Sequence, residues 1–295
     1  MKKIIIIFLC IVLTAPALVM GINAYYYDDY ELPHLLFGRY DDLSEDAWYA
    51  TAFAVCMWGQ RFIRLTEKTM GPSNPLLREE ALLLLMTGTP FLSVSQMAED
   101  NTPITINTAH ADITLSVLGF GSVDPDKKVF SDVDEDAWYF EWVYYAYKFG
   151  ITSGIGNGEF GAGKPITRQD FAVMAQKAFD LRNKYWKLKS PMYTEFYYDE
   201  TTVRSFLDYD QISPYALNAV TFFCGINKYS LKAFDEDEND GKITTWRTSD
   251  WAPMYRGYNG YLKPRSYIKR SEAALVYYNY IAPERWWWQE NSLGS

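Results

Sequence analysis

Thr167-Arg168-Gln169-Asp170 is the stretch of this chain best suited to holding an anion. A Thr hydroxyl before a helix can accept from an early helical amide, and an Asp three residues on can reach back to the Thr amide. Arg168 then stands at the first helical position. There its guanidinium adds to unpaired amides and the positive helix end, so a carboxylate from solvent would meet two kinds of donor. Related stretches occur at Leu77-Arg78-Glu79-Glu80 and Lys269-Arg270-Ser271-Glu272, and each Arg follows a bulky apolar residue (Met70, Phe160 or Leu262) by eight positions. Leu77 and Lys269 lack the Thr hydroxyl, so the sequence predicts weaker sites at Arg78 and Arg270, and one fully competent site.

Each Arg stretch has an upstream partner with an aromatic residue, an Asp and a second aromatic: Tyr40, Asp42 and Trp48; Phe130, Asp132 and Trp138; Phe206, Asp208 and Tyr215. The elements positioning them follow from periodicity. Trp138 to Phe149 is apolar nearly all round, as in a helix buried in a bundle, and Gly150 stops it. The loop Gly154-Ile155-Gly156-Asn157-Gly158 leads to a second helix, where Phe171, Met174, Ala175 and Ala178 keep helical spacing. Each unit thus reads as helix, loop, helix, and the chain as an array of like units whose function lies at the joints. The units span 40–87, 130–181 and 206–281. Between the first two, 88–129 alternates Ile104, Ile106, Ile113, Leu115 and Val117 about Asn107 to Asp112, which predicts a β-hairpin. Residues 182–205 form a second linker, 227–261 an insertion in the third unit, and 282–295 an aromatic tail containing Trp286-Trp287-Trp288.

The array resembles three S-layer homology domains, whose unit reads roughly F-x-D-V, a Trp, a Gly, then G-x-F-x-P and I-T-R-x-E. The middle copy matches at Phe130-Ser131-Asp132-Val133, Trp138, Gly150-Ile151, Gly154, Gly158-Glu159-Phe160 and Ile166-Thr167-Arg168, with Ala162 in place of Pro. The outer two are degenerate. The first keeps Asp42, Trp48, Gly59, Pro72 and Arg78; the third keeps Asp208, Gly225, Pro264, Arg270 and Glu272, with Ile212-Ser213-Pro214-Tyr215-Ala216 for the Trp segment. The resemblance implies a mainly α fold in which the units form a pseudo-threefold bundle, first helices gathered centrally, with a groove between neighbours. It also implies non-catalytic binding of secondary cell-wall polysaccharide bearing ketal-linked pyruvate. Arg78, Arg168 and Arg270 would meet the carboxylate, Trp48, Trp138 and Tyr215 would offer faces to sugar rings, and Asp42, Asp132 and Asp208 would accept from hydroxyls. Gly154 and Gly158 would let backbone approach the ligand. Each residue has a plainer reading beside this one: the aromatics as core plugs, the Asp residues as caps of the first helices, the Arg residues as surface ion pairs.

Composition agrees with export. Met1-Lys2-Lys3, the apolar run Ile4 to Leu13, and the small residues Gly21 and Ala24 read as a signal peptide over 1–24, a retained anchor being the alternative. The net charge of −9 makes nucleic acid a poor partner, and an anionic wall polymer must be held by local basic groups. Cys56 and Cys224 occupy similar places in the first and third units; a disulfide is geometrically conceivable, and two buried thiols are the plainer reading. Two histidines, His34 and His110, give no metal or catalytic constellation.

Two motif likenesses fail on their details. Gly158 to Lys164 has P-loop spacing, but Pro165 stands where a Ser or Thr belongs, so no nucleotide is expected. Glu236 to Thr244 resembles a calcium loop, but Arg247 falls at the twelfth position, so an acidic solvated loop is the stronger reading. The sequence therefore predicts a secreted, cofactor-free wall anchor at the cell surface rather than an enzyme. A surface scaffold that binds a protein partner is the alternative.

Overall fold

The structure is a computed structural model that describes residues 32–58, 65–86, 104–107, 112–115, 128–189, 193–198, 201–234, 243–250 and 259–278. The leader, the acidic loop Glu236 to Asp240 and the aromatic tail lie outside the described residues. Seven described helices run in order: α1 (Leu32–Leu36), α2 (Ala50–Trp58), α3 (Arg78–Met86), α4 (Phe140–Lys148), α5 (Arg168–Lys189), α6 (Leu217–Gly225) and α7 (Arg270–Val276). Among the described residues no helix is long and apolar enough to cross a membrane.

The helix starts follow local chemistry. α3, α5 and α7 all begin at the motif Arg. α2, α4 and α6 each begin two residues after Trp48, Trp138 or Tyr215, so these aromatics sit in the turn before the helix rather than in it. Gly150, at φ +72°, ends α4 as expected: its amide donates to the Tyr147 carbonyl and that of Ile151 to Ala146. The segments around Asp42 and Asp132 have the same pattern of turns, residue for residue, from Asp41 to Ala50 and from Ser131 to Phe140, and the same burial except that Val133 is buried where Leu43 is half-buried.

Packing connects one segment to the next. α3 packs on α4, α5 on α6, and α7 returns to α2; α3 also touches α5. Second helices therefore pack on the first helices of the following segment, which replaces the expected central bundle of first helices. At the middle, three fully buried residues close a backbone cycle: the Leu76 amide donates to Ile268 O (2.9 Å), Ile268 to Ile166 O (3.1 Å), and Ile166 to Leu76 O (2.9 Å). One core joins all segments, including Phe53, Leu82, Val143, Phe160, Phe171, Phe223 and Ile268. Buried apolar surface of this kind contributes roughly 1.5–3 kcal/mol per large side chain.

β1 (Ile104–Asn107) and β2 (Asp112–Leu115) pair antiparallel, with Ile104 opposite Leu115. A second sheet was not foreseen: β3 (Tyr193–Tyr198), β4 (Ile226–Phe234) and β5 (Ile243–Asp250) are antiparallel neighbours in that order. The linker after α5 and the insertion after α6 thus share one sheet. α5 itself runs to Lys189, eight residues past the unit boundary at 181 read from the sequence.

Candidate functional site

The Asp side chains hold the chain's own turns. Asp132 accepts from the amides of Phe160 (2.7 Å), Gly161 (2.7 Å) and Ala162 (3.0 Å). Asp42 does the same for Met70 and Gly71, and Asp208 for Leu262 and Lys263. These bonds tie each Asp to the turn about 28 residues or more downstream rather than to the start of the first helix. Partial burial pushes the Asp132 carboxyl up, but these amides outweigh it and hold the group below its ordinary value.

The arginines join neighbouring segments. Arg168 is 6% exposed; its Nε donates to Leu262 O (3.0 Å) and its Nη1 lies 2.9 Å from Glu272. Arg78 repeats this one step back, with Nε on Phe160 O (2.8 Å) and its guanidinium 5.3 Å over the Phe160 ring. Arg270, fully buried, is paired with Glu80. Burial draws Arg78 below its ordinary value, while Asp170 pulls it back up. The acids at the third helical position thus sit beside the arginine of the preceding segment. These arginines are not surface groups waiting for a carboxylate.

The helix ends are occupied as well. The Arg168 amide donates to Ser266 O (2.8 Å), Gln169 to Pro264 O (2.9 Å), Asp170 to the Thr167 hydroxyl (3.2 Å) and Phe171 to Thr167 O (2.9 Å). The orphan donors at Arg168, Gln169 and Asp170 are thus satisfied within the chain, so the anion site expected there is filled by the turn of the third segment. The cap itself differs in detail. Asp170 accepts from the Thr167 hydroxyl (2.7 Å) rather than the Thr amide, whereas in the outer copies Glu80 and Glu272 do reach back to the amides of Leu77 (3.1 Å) and Lys269 (2.9 Å). Losing the Thr therefore leaves half of the cap in place.

What faces solvent are the aromatics. Trp48 is 64% exposed, Trp138 48% and Tyr215 63%, so the core-plug reading fails. Trp48 and Trp138 stand edge-on to Tyr49 and Tyr139, at 5.4 and 5.3 Å between centroids. Tyr215 is held by its hydroxyl, which donates to Asp170 (2.5 Å) and accepts from Gln169 Nε2 (3.2 Å). Burial, and then Asp170, push its pKa up to about 12. Two of these aromatics adjoin a junction: Gln169 also bonds Ser213 beside Tyr215, and Tyr139, next to Trp138, feels the carboxylate of Glu79 after the pull of its own burial.

The two glycines part company. A side chain on Gly154, at φ +81°, would meet Glu159 O at 2.3 Å and the Phe130 ring at 2.6 Å, so that glycine serves loop closure. Gly158, at φ +72°, borders open space where a ligand can come close. Cys56 and Cys224 are buried thiols and form no disulfide with each other, and burial raises Cys224 to about 12.

Glu79, Gln169, Lys263 and Arg265 were not singled out in the sequence, although they lie at the same junctions. Aligning the Arg stretches and their turns place by place would have exposed them. Among curated proteins no match to this chain is found. Residues 129–172, the middle segment from Val129 into α5, match the family model of the S-layer homology domain, a cell-wall anchoring module.

Proposed function

We propose that residues 40–281 are three S-layer homology units, the outer two degenerate, closed into one pseudo-threefold assembly that anchors an exported protein to the cell wall. Its ligand is secondary wall polysaccharide, pyruvate ketals included, bound without catalysis in the junctions between units. The observation that carries this reading is the exposure of three corresponding aromatic side chains, Trp48, Trp138 and Tyr215, the last two beside junctions. A sugar ring on such a face removes apolar surface from water and is held by a group already fixed in place.

The test is sedimentation of the protein with wall sacculi, intact or stripped of secondary polymer. Intact sacculi should retain it, stripped ones should not, and Trp48→Ala, Trp138→Ala and Tyr215→Ala should each weaken retention with little change in melting temperature. Equal retention by stripped sacculi would favour the protein-scaffold alternative and overturn the polysaccharide reading.

A further inference from the structure

The sequence holds two Asn-Gly dipeptides, Asn157-Gly158 and Asn259-Gly260, and they fall at corresponding places in the second and third segments. Each ends two residues before the apolar residue whose amide binds the motif Asp: Phe160 on Asp132 (2.7 Å) and Leu262 on Asp208 (2.8 Å). Both residues of each pair take positive φ, +53° and +72° in the second segment and +51° and +85° in the third. Two successive left-handed residues make the tight hairpin turn that Asn-Gly favours. In the second segment the Glu159 amide closes it on Gly156 O (2.9 Å), and the Ile155 amide bonds Glu159 O (2.8 Å). The turn is also tied to the residue before the motif Asp. Gly158 O accepts from the amide (2.8 Å) and hydroxyl (3.2 Å) of Ser131, and Gly260 O from the amide of Leu207 (2.9 Å). The first segment has Glu67-Lys68 at the same place, where Lys68 O accepts from Asp41 (2.9 Å).

These turns set up a reaction within the chain. Asn157 and Asn259 are exposed, and among the described residues neither their carboxamides nor the amides of Gly158 and Gly260 have a hydrogen-bond partner. Gly158 borders open space, so no side chain shields its nitrogen and water reaches it. A carboxamide carbon next in the chain to such a nitrogen reacts without a bimolecular encounter. The deprotonated Gly158 nitrogen attacks Asn157 Cγ; the N–Cγ bond forms, the Cγ–Nδ2 bond breaks, and ammonia leaves with a proton from water. Water then opens the cyclic imide at either carbonyl. The products are Asp, or an isoaspartate whose main chain runs through the side-chain carboxyl. One water enters and one ammonia leaves. Glu67 has no amine to expel and would close a larger ring.

We propose that Asn157-Gly158 and Asn259-Gly260 are deamidation sites that age the second and third segments and spare the first. The isoaspartate product lengthens the main chain by one carbon inside a two-residue turn. That draws the Gly158 or Gly260 carbonyl off its partner and loosens the neighbouring amides held by Asp132 or Asp208. None of this depends on which ligand the junctions hold.

The test incubates the full chain, folded and in denaturant, at neutral and mildly alkaline pH. Peptide mass mapping, isoaspartyl methyltransferase labelling and thermal melts follow the change. The folded chain should exchange an amide for an acid at Asn157 and Asn259, faster at the higher pH because the attacking nitrogen must lose its proton. Label should appear in both turn peptides and not in those containing Asn74 or Asn218, and the aged sample should melt at a lower temperature. Asn157→Gly/Asn259→Gly, which accepts positive φ without steric cost, should take no label at either turn and hold its melting temperature with time. A folded chain left unmodified while the denatured chain reacts would mean that the turns protect these residues, and overturns the assignment. Modification that lowers the parent's melting temperature no more than the double variant's overturns the ageing of the fold.

Discussion

At the scale of single residues, Asp132 shows why a motif position can be legible and its role not. Its place in the repeat was evident, but its partners Phe160, Gly161 and Ala162 lie 28 to 30 residues away, a reach that neither helical nor strand periodicity encodes. The outward turn of Trp48 and Trp138 was equally hidden, since an aromatic two residues before a helix can point either way. The structure fixes a consequence for Asp132. Its carboxyl is held below its ordinary value, so the unfolded chain takes up the proton first as pH falls. The stability it contributes is complete above the unfolded value of about 3.9 and is lost as pH drops through the lower folded value. Asp132→Ala should cost roughly 2–3 kcal/mol at neutral pH, from amides left without an acceptor, and Asp132→Asn should cost less. Thermal melts from pH 7 to pH 2 check this: the gap between parent and Asp132→Ala should narrow in acid. A constant gap would mean that the charge of Asp132 does not matter.

At the scale of elements, the second helices were the most legible part. Arg78, Arg168 and Arg270 were expected at the first helical position, and α3, α5 and α7 begin there because cap signals act within one turn. The partner of each helix end was not legible, because the carbonyls that satisfy α5 come from Pro264 and Ser266, nearly 100 residues on. A shorter separation, 28 to 39 residues, still hides the sheet in which β3 and β4 pair across α6. This corrects the expected effect of changing the arginine. Arg168→Ala breaks a buried pair with Glu272 and frees the Leu262 carbonyl, so it should destabilise the fold by about 3–5 kcal/mol. Arg168→Lys should recover part of that, since an ammonium can still meet Glu272 but cannot place a second donor on Leu262. Denaturant melts measure the loss. A folded Arg168→Ala protein of near-parental stability would return the arginine to a ligand-facing role.

At the scale of the whole molecule, the closed path matters more than the number of copies. An open array of repeats is stabilised by nearest neighbours, so its ends fray and pieces of it fold alone. Here the third segment returns to the first: the Arg270 amide donates to Asn74 O (3.0 Å), that of Ser271 to Pro72 O (3.0 Å), and Arg270 is paired with Glu80. Each helix end is completed by the next segment round the cycle, and the amide of Ile166 has its partner in the first segment, at Leu76 O. Removing any one segment therefore leaves buried donors and acceptors open on both sides of the gap, at about 1–3 kcal/mol for each group, which a domain of ordinary stability cannot absorb. The chain should accordingly unfold in one transition, with calorimetric and van't Hoff enthalpies in agreement. The middle segment by itself, residues 129–189, should show no cooperative melt even though it carries the clearest copy of the motif. Two resolved transitions in the intact chain, or a folded middle fragment, would show that the segments are independent and that the backbone cycle through Leu76, Ile166 and Ile268 contributes little to holding them together.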